Sequence, residues 1–259
     1  MNQASPLYFR ELGERDKPVL CLLHGLFGSS GNWMGIVKQL QGEYRIIVPD
    51  LRNHGRSLHQ DQMDYPGMAQ DLIALIDQLE LPSVYLLGHS MGGKAAMWAA
   101  LTQPERIDKL IVADIAPVTY GDRFGAIFQG LTGLPLAQLQ SREQADRQLA
   151  QWVPERGVRD YLLQNLIRQG GDWSWRFNLP VLQRAMPTLS AFPDPGQRVY
   201  PGDVLFLHGE RSDYVTDAVQ RDIQALFPHY RRRMLHGAGH WLYAEQPLPF
   251  AQAVRGFLK

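Results

Sequence analysis

The stretch Ser83-Val-Tyr-Leu-Leu-Gly-His-Ser-Met-Gly-Gly-Lys-Ala-Ala-Met-Trp-Ala-Ala-Leu101 decides the fold. Val84 to Leu87 is a short apolar run, as a strand buried on both faces requires. It stops at Gly88, and the Ala-rich residues after Met91 have strong helix propensity. Between them lies Gly-x-Ser-x-Gly, from Gly88 to Gly92. A strand that turns directly into a helix on this pattern holds its serine out above the sheet edge. Glycine is expected at 88 and 92 because strand and helix come too close there for a Cβ. The pattern alone is weak, but its strand-to-helix setting makes Ser90 a candidate nucleophile.

On either side the chain repeats the same rhythm. Upstream, Pro18 to His24 and Tyr44 to Val48 are apolar runs, and residues 7–12 read as a short edge strand. Residues 65–80 carry Met68, Leu72, Leu75, Ile76 and Leu79 on one helical face. Downstream, Leu110 to Pro117 is a further strand holding Asp114. Alternation of this kind predicts an α/β fold, with a mostly parallel central sheet, right-handed crossovers and helices on both faces.

The rhythm breaks after Pro117. Residues 118–200 hold helical patterns and no convincing buried strand, with aromatics concentrated at Phe124, Phe128, Trp152, Tyr161, Trp173, Trp175 and Phe177. The expected organisation is a core of residues 1–117 and 201–259 with an inserted helical cap over 118–200. The sheet resumes at Asp203 to Gly209, and a last strand near 231–235 leads to His236-Gly-Ala-Gly-His240-Trp241.

Composition removes several classes. Lys plus Arg and Asp plus Glu are both 26, so no global field favours nucleic acid or an anionic membrane. No apolar run approaches the roughly 18 residues of a membrane span, and residues 1–6 lack the pattern of an export signal. The lone Cys21 lies in an apolar run and has no partner for an internal disulfide, which suggests a buried thiol in a reducing, cytoplasmic setting. His24, His54, His89 and His208 lack paired metal-ligand spacing, and no phosphate-binding Gly-rich loop with Lys-Ser/Thr occurs. Neither metal nor cofactor is expected. Oligomeric state is not legible.

A serine hydroxyl needs a base to take its proton and a third group to orient that base. His240, late in the chain and in a Gly-rich turn after the last strand, is the candidate base. Two acids compete. Asp114 ends the strand after the elbow helix, whereas Asp213 lies in the loop after the next strand. The position where an acid more commonly sits is Ser212, so Asp114 is favoured and Ser212 becomes a hydrogen-bonding neighbour. A tetrahedral oxyanion needs preorganised N–H donors. Met91 supplies one, and the loop His24-Gly25-Leu26-Phe27 the other, with Leu26 preferred to Phe27. Phe27, His89, Trp175 and Trp241 are candidate pocket residues.

The segments His24 to Ser29, Asp50-Leu-Arg-Asn-His-Gly-Arg-Ser57, Gly88 to Gly93, Asp114-Ile-Ala-Pro117, Trp175-Arg-Phe-Asn-Leu179 and Gly237 to His240 together resemble an α/β-hydrolase. More narrowly they resemble the YbfF-type bacterial esterases, across nearly the whole chain. That resemblance implies hydrolysis of short- to medium-chain acyl esters or thioesters, with the acid on the strand before the cap and a serine near the histidine. Matched by residue, these are Asp114 and Ser212. The function expected is a serine carboxylesterase acting on a small-molecule substrate. Alternatives are a carbon–carbon bond hydrolase or perhydrolase of the same fold, and a slow-turnover small-molecule receptor.

Overall fold

A computed structural model describes residues 7–259; the segment 1–6, read above for export signals, lies outside the described residues. In chain order the first half contains β1 (Phe9–Leu12), β2 (Val19–Leu23), α1 (Met34–Leu40), β3 (Arg45–Pro49), α2 (Tyr65–Gln78), β4 (Val84–His89), α3 (Met91–Thr102) and β5 (Ile107–Ala113). Then follow α4 (Gly125–Gly133), α5 (Arg142–Leu149), α6 (Arg156–Leu163), β6 (Leu166–Gln169), β7 (Asp172–Trp175) and α7 (Leu179–Ser190). The chain closes with β8 (Asp203–Gly209), α8 (Gln220–Leu226), β9 (Tyr230–Leu235), α9 (Leu242–Glu245) and α10 (Pro247–Leu258).

Seven strands form one sheet in the order β1-β3-β2-β4-β5-β8-β9. Only β1, at the edge, runs antiparallel; every other pair is parallel. The apolar runs in β2 to β5 and β8 follow from burial on both faces. One face packs against α2 and α3 through Met68, Leu72, Leu75 and Ala96. The opposite face packs against α1 and α10 through Ile36, Leu40, Phe250 and Val254. On the outer strand β9, Arg231, Arg232 and Arg233 are exposed, with Arg232 reaching Asp217 at 2.7 Å. Charge on an edge strand discourages pairing with another chain.

Strand register matters most for the site. Leu23 lies beside Gly88, His89 beside Ala113, and Ala113 beside Leu207. The residues that follow the central strands therefore emerge together at one carboxyl edge, where open α/β sheets build their crevices.

Residues 118–200 add nothing to this sheet. They are not purely helical, which corrects the sequence expectation: β6 and β7 form a separate two-stranded hairpin. Its turn is Gly170-Gly171, both at positive φ (64° and 102°), the conformation a tight hairpin demands. Both ends of the segment are fastened to α3 by one side chain. The buried Lys94 Nζ donates to the carbonyls of Val118, Ser190 and Ala191, each at 2.8 Å. Its Nζ also lies 5.0 Å from the Tyr120 ring centre. All three donors of the amine are used.

Candidate active site

Ser90 sits between β4 and α3 with φ 51° and ψ −119°, a region that L-residues occupy only when their surroundings force it. Two close approaches supply that force. A Cβ on Gly88 would stand 2.1 Å from the Gly92 carbonyl oxygen, and one on Gly92 would stand 2.5 Å from that of His24. Only glycine fits at either point. The Ser90 N–H donates to Ala113 O at 3.0 Å, which ties the strained turn to β5.

Asp114 occupies the equivalent point one strand away, directly after β5, also at positive φ (55°). Its carboxylate is fully buried and accepts from Gly209 N–H at 3.2 Å and from the Ser212 hydroxyl. It also accepts from His240 Nδ1 at 2.7 Å, and His240 Nε2 lies 3.1 Å from Ser90 Oγ. Because Asp114 accepts at Nδ1, the ring's Nε2 is free to take a proton from Ser90. The sequence's alternative acid goes elsewhere. The Asp213 side chain is 71% exposed and forms a two-pronged pair with Arg123, whose hydrogen bond holds its carboxyl below the usual range. None of its hydrogen bonds reaches His240.

His240 is packed on several sides. Tyr214 stacks on it (4.3 Å between ring centres, 24° between planes), His89 lies 4.7 Å away, and Trp241 meets it edge-on at 5.4 Å. His89 Nε2 donates to the His240 carbonyl at 2.8 Å. Burial holds the His89 pKa well below the ordinary histidine value, so it is a neutral brace.

The loop after β2 presents its backbone to the same space. The Phe27 N–H is already committed, donating to His54 Nε2 at 3.1 Å. Leu26 N–H has no protein acceptor among the described residues, and Met91 N–H, at the first turn of α3, has no intrahelical partner. Leu26, Ser90 and Met91 all border a small recess of about 40 Å³, and on its other side Ser90 opens into a cavity of about 480 Å³. The larger cavity is walled by residues such as Leu26, Phe124, Ile127, Val153, Leu162 and Trp241.

Of the pocket residues expected from sequence, Phe27, His89 and Trp241 line this cavity. Trp175 does not. It stacks on Phe177 (5.2 Å, 9°), which in turn packs on Phe27 (5.1 Å), so it lies one layer behind. The β6–β7 pairing directs it there, and the hairpin was not legible as one. Residues that sequence reading undervalued include His54, Tyr214 and Arg123. His54 carried a signal in its loop Arg52-Asn-His-Gly-Arg-Ser57, but a stacking partner such as Tyr214 had none. Asp50, directly after β3, braces its loop by accepting from Ser30 N–H (2.6 Å) and Arg56 N–H (2.9 Å). Among the described residues no cluster of His, Cys, Asp and Glu could hold a metal ion.

A parallel sheet whose strand ends gather a strained serine, a histidine and a buried aspartate defines the α/β-hydrolase class. Residues 19–253 match the model of the alpha/beta hydrolase family, and the chain belongs to that family. It is 38% identical to the sn-1-specific diacylglycerol lipase ABHD11 of Mus musculus, covering 98% of this chain and 85% of that one. It is 38% identical to esterase YbfF of Escherichia coli (strain K12), covering 92% of each. A solved marine microorganism esterase superposes with a TM-score of 0.94 at 36% identity, covering 97% of this chain and 98% of that one.

Proposed function

We propose that this protein is a serine carboxylesterase that hydrolyses short- to medium-chain acyl esters through an acyl-enzyme on Ser90. Ser90 Oγ attacks the ester carbonyl while His240 Nε2 takes its proton. Asp114 orients the ring and stabilises the imidazolium that forms. The N–H groups of Leu26 and Met91 hold the oxyanion. His240 then returns the proton to the leaving alcohol, and water, activated by the same histidine, cleaves the acyl-enzyme. Thioesters fit the same sequence of steps.

The observation that carries this reading is the continuous hydrogen-bonded line Ser90–His240–Asp114, with 3.1 Å and 2.7 Å links, ending in a carboxylate with no solvent exposure. The apolar walls of the larger cavity suit an acyl chain, and the activities named for the E. coli and marine relatives agree. A dehalogenase or epoxide hydrolase chemistry would need a carboxylate where Ser90 stands.

A second reading, hydrolysis of a diacylglycerol, is favoured by the mouse relative and by a cavity of about 480 Å³, larger than a butyryl group needs. The test is a p-nitrophenyl ester series from two to twelve carbons, with dioctanoylglycerol and an acyl-CoA alongside, on wild type and Ser90→Ala. Esterase turnover lost in the variant supports the proposal. Turnover unchanged in Ser90→Ala contradicts it.

A further inference from the structure

Five backbone polar groups of the loop Gly25 to Gly28 have partners within the protein, and two of those partners come from outside the core sheet. The Gly25 carbonyl accepts from Gly28 N–H at 2.9 Å and from His24 Nδ1 at 2.8 Å. The Leu26 carbonyl accepts from the Tyr161 hydroxyl at 2.8 Å. The Phe27 N–H donates to His54, and the Phe27 carbonyl accepts from Asn165 Nδ2 at 2.6 Å. The peptide between Leu26 and Phe27 is therefore gripped at both ends, and the next is held at its carbonyl by Asn165 and at its N–H by Gly25. The Leu26 N–H, by contrast, has no protein acceptor among the described residues.

Two of these four grips belong to the inserted segment. Tyr161 lies on α6 and Asn165 just beyond its end, four residues later and about one helical turn along. Asn165 is buried, at 4% exposure, and Tyr161 is partly buried. Burial also keeps the Tyr161 hydroxyl protonated, with its pKa raised far above the ordinary tyrosine value, so it remains a donor. The loop needs such holding. Phe27 sits at φ 61°, in the left-handed region that a phenylalanine rarely adopts. A peptide in that conformation relaxes unless its surroundings fix it.

We propose that Tyr161 and Asn165 are positioning residues for catalysis: through the Leu26 and Phe27 carbonyls they aim the Leu26 N–H at the oxyanion. The inserted segment then completes the oxyanion hole as well as covering the acyl cavity. The inference rests on the esterase reading above. It assigns the segment a role in kcat that is common to all substrates, beside any role in choosing among them.

The measurement is kcat and KM for p-nitrophenyl acetate, butyrate and octanoate, with the rate of inactivation by a fluorophosphonate, for wild type, Tyr161→Phe and Asn165→Asp. The fluorophosphonate forms a tetrahedral oxyanion on the serine, so it reads the hole without the acyl chain. Each variant is expected to lose at least about tenfold in kcat, short of the roughly 10²–10³-fold cost of deleting an oxyanion donor outright. KM should change little, the loss should be equal for all three esters, and phosphonylation should slow in parallel. Asn165 lines neither cavity beside Ser90, so Asn165→Asp separates positioning from pocket shape even if Tyr161→Phe alters packing; circular dichroism selects folded variants, and either one decides. Loss confined to KM, loss that varies with chain length, or kcat and phosphonylation within twofold of wild type in a folded variant overturns the proposal. A wild type that the fluorophosphonate does not label at all overturns instead the esterase reading beneath it.

Discussion

At the scale of single residues, the choice between two aspartates is the sharpest matter. Asp114 is unexposed, accepts three hydrogen bonds and touches His240, whereas Asp213 faces solvent and holds Arg123. Asp114→Asn is expected to lower kcat on p-nitrophenyl butyrate by about 10⁴-fold, the size of effect seen when a histidine loses its orienting carboxylate. Asp213→Asn is expected to cost less than about tenfold, since an exposed pair contributes little. Steady-state kinetics on the two variants check the assignment. His54 gives a second prediction. Burial lowers its pKa to about 3, from the ordinary 6.5, and its neutral Nε2 accepts the Phe27 N–H. Below about pH 6.5 the unfolded chain takes up a proton there that the folded protein refuses. Its share of stability is complete above pH 6.5 and is lost as pH falls toward 3, with a slope of up to about 1.4 kcal/mol per pH unit. Urea unfolding between pH 4 and 7 should give a shallower slope for His54→Asn than for wild type.

At the scale of elements, what was legible depended on whether local sequence or tertiary contact did the deciding. The buried parallel strands β2, β4, β5 and β8 were readable because burial on both faces leaves a continuous apolar run. The turn holding Ser90 was readable because two glycines are required by backbone collisions of 2.1 and 2.5 Å. The hairpin β6–β7 was not, since its four-residue strands are half-exposed and carry no buried run; its one signal was Gly170-Gly171. Ser90, His240 and Asp114 each follow a strand and could be proposed from motif and order. Tyr161 and Asn165 reach their loop across more than 130 residues of chain, and no local pattern announces that. Lys94 is similar: in sequence it is one lysine in an Ala-rich helix, yet it joins both ends of the insertion to α3. Lys94→Met would leave the Val118 and Ala191 carbonyls without a donor, while the Ser190 carbonyl keeps the Tyr120 N–H at 3.0 Å. At about 1–3 kcal/mol for each buried group left unpaired, the variant should lose about 2 kcal/mol or more, read by urea denaturation at fixed pH.

At the scale of the molecule, the sheet carries Ser90, Asp114 and His240 at its carboxyl edge, and the inserted segment lines the cavity beside them. Cationic and anionic side chains balance at 26 each, and among the described residues no helix is long and apolar enough to cross a membrane. Under the esterase function proposed above, the cavity beside Ser90 selects among substrates by its shape. Its α4 wall is lined by Phe124 and Ile127, at the start of the segment. Ile127→Trp should fill part of that space and shift the preferred acyl length downward in the p-nitrophenyl series, with acetate hydrolysis changed less than about threefold. An unchanged length profile would move the acyl site elsewhere.

The central claim is that Ser90 becomes covalently bonded during turnover, driven by His240. The most direct measurement is peptide mass spectrometry of the wild-type protein after treatment with a fluorophosphonate. The account predicts one adduct per chain, located on Ser90, and its near-complete loss in His240→Ala. An adduct on another residue, or none in an active wild-type enzyme, would contradict it.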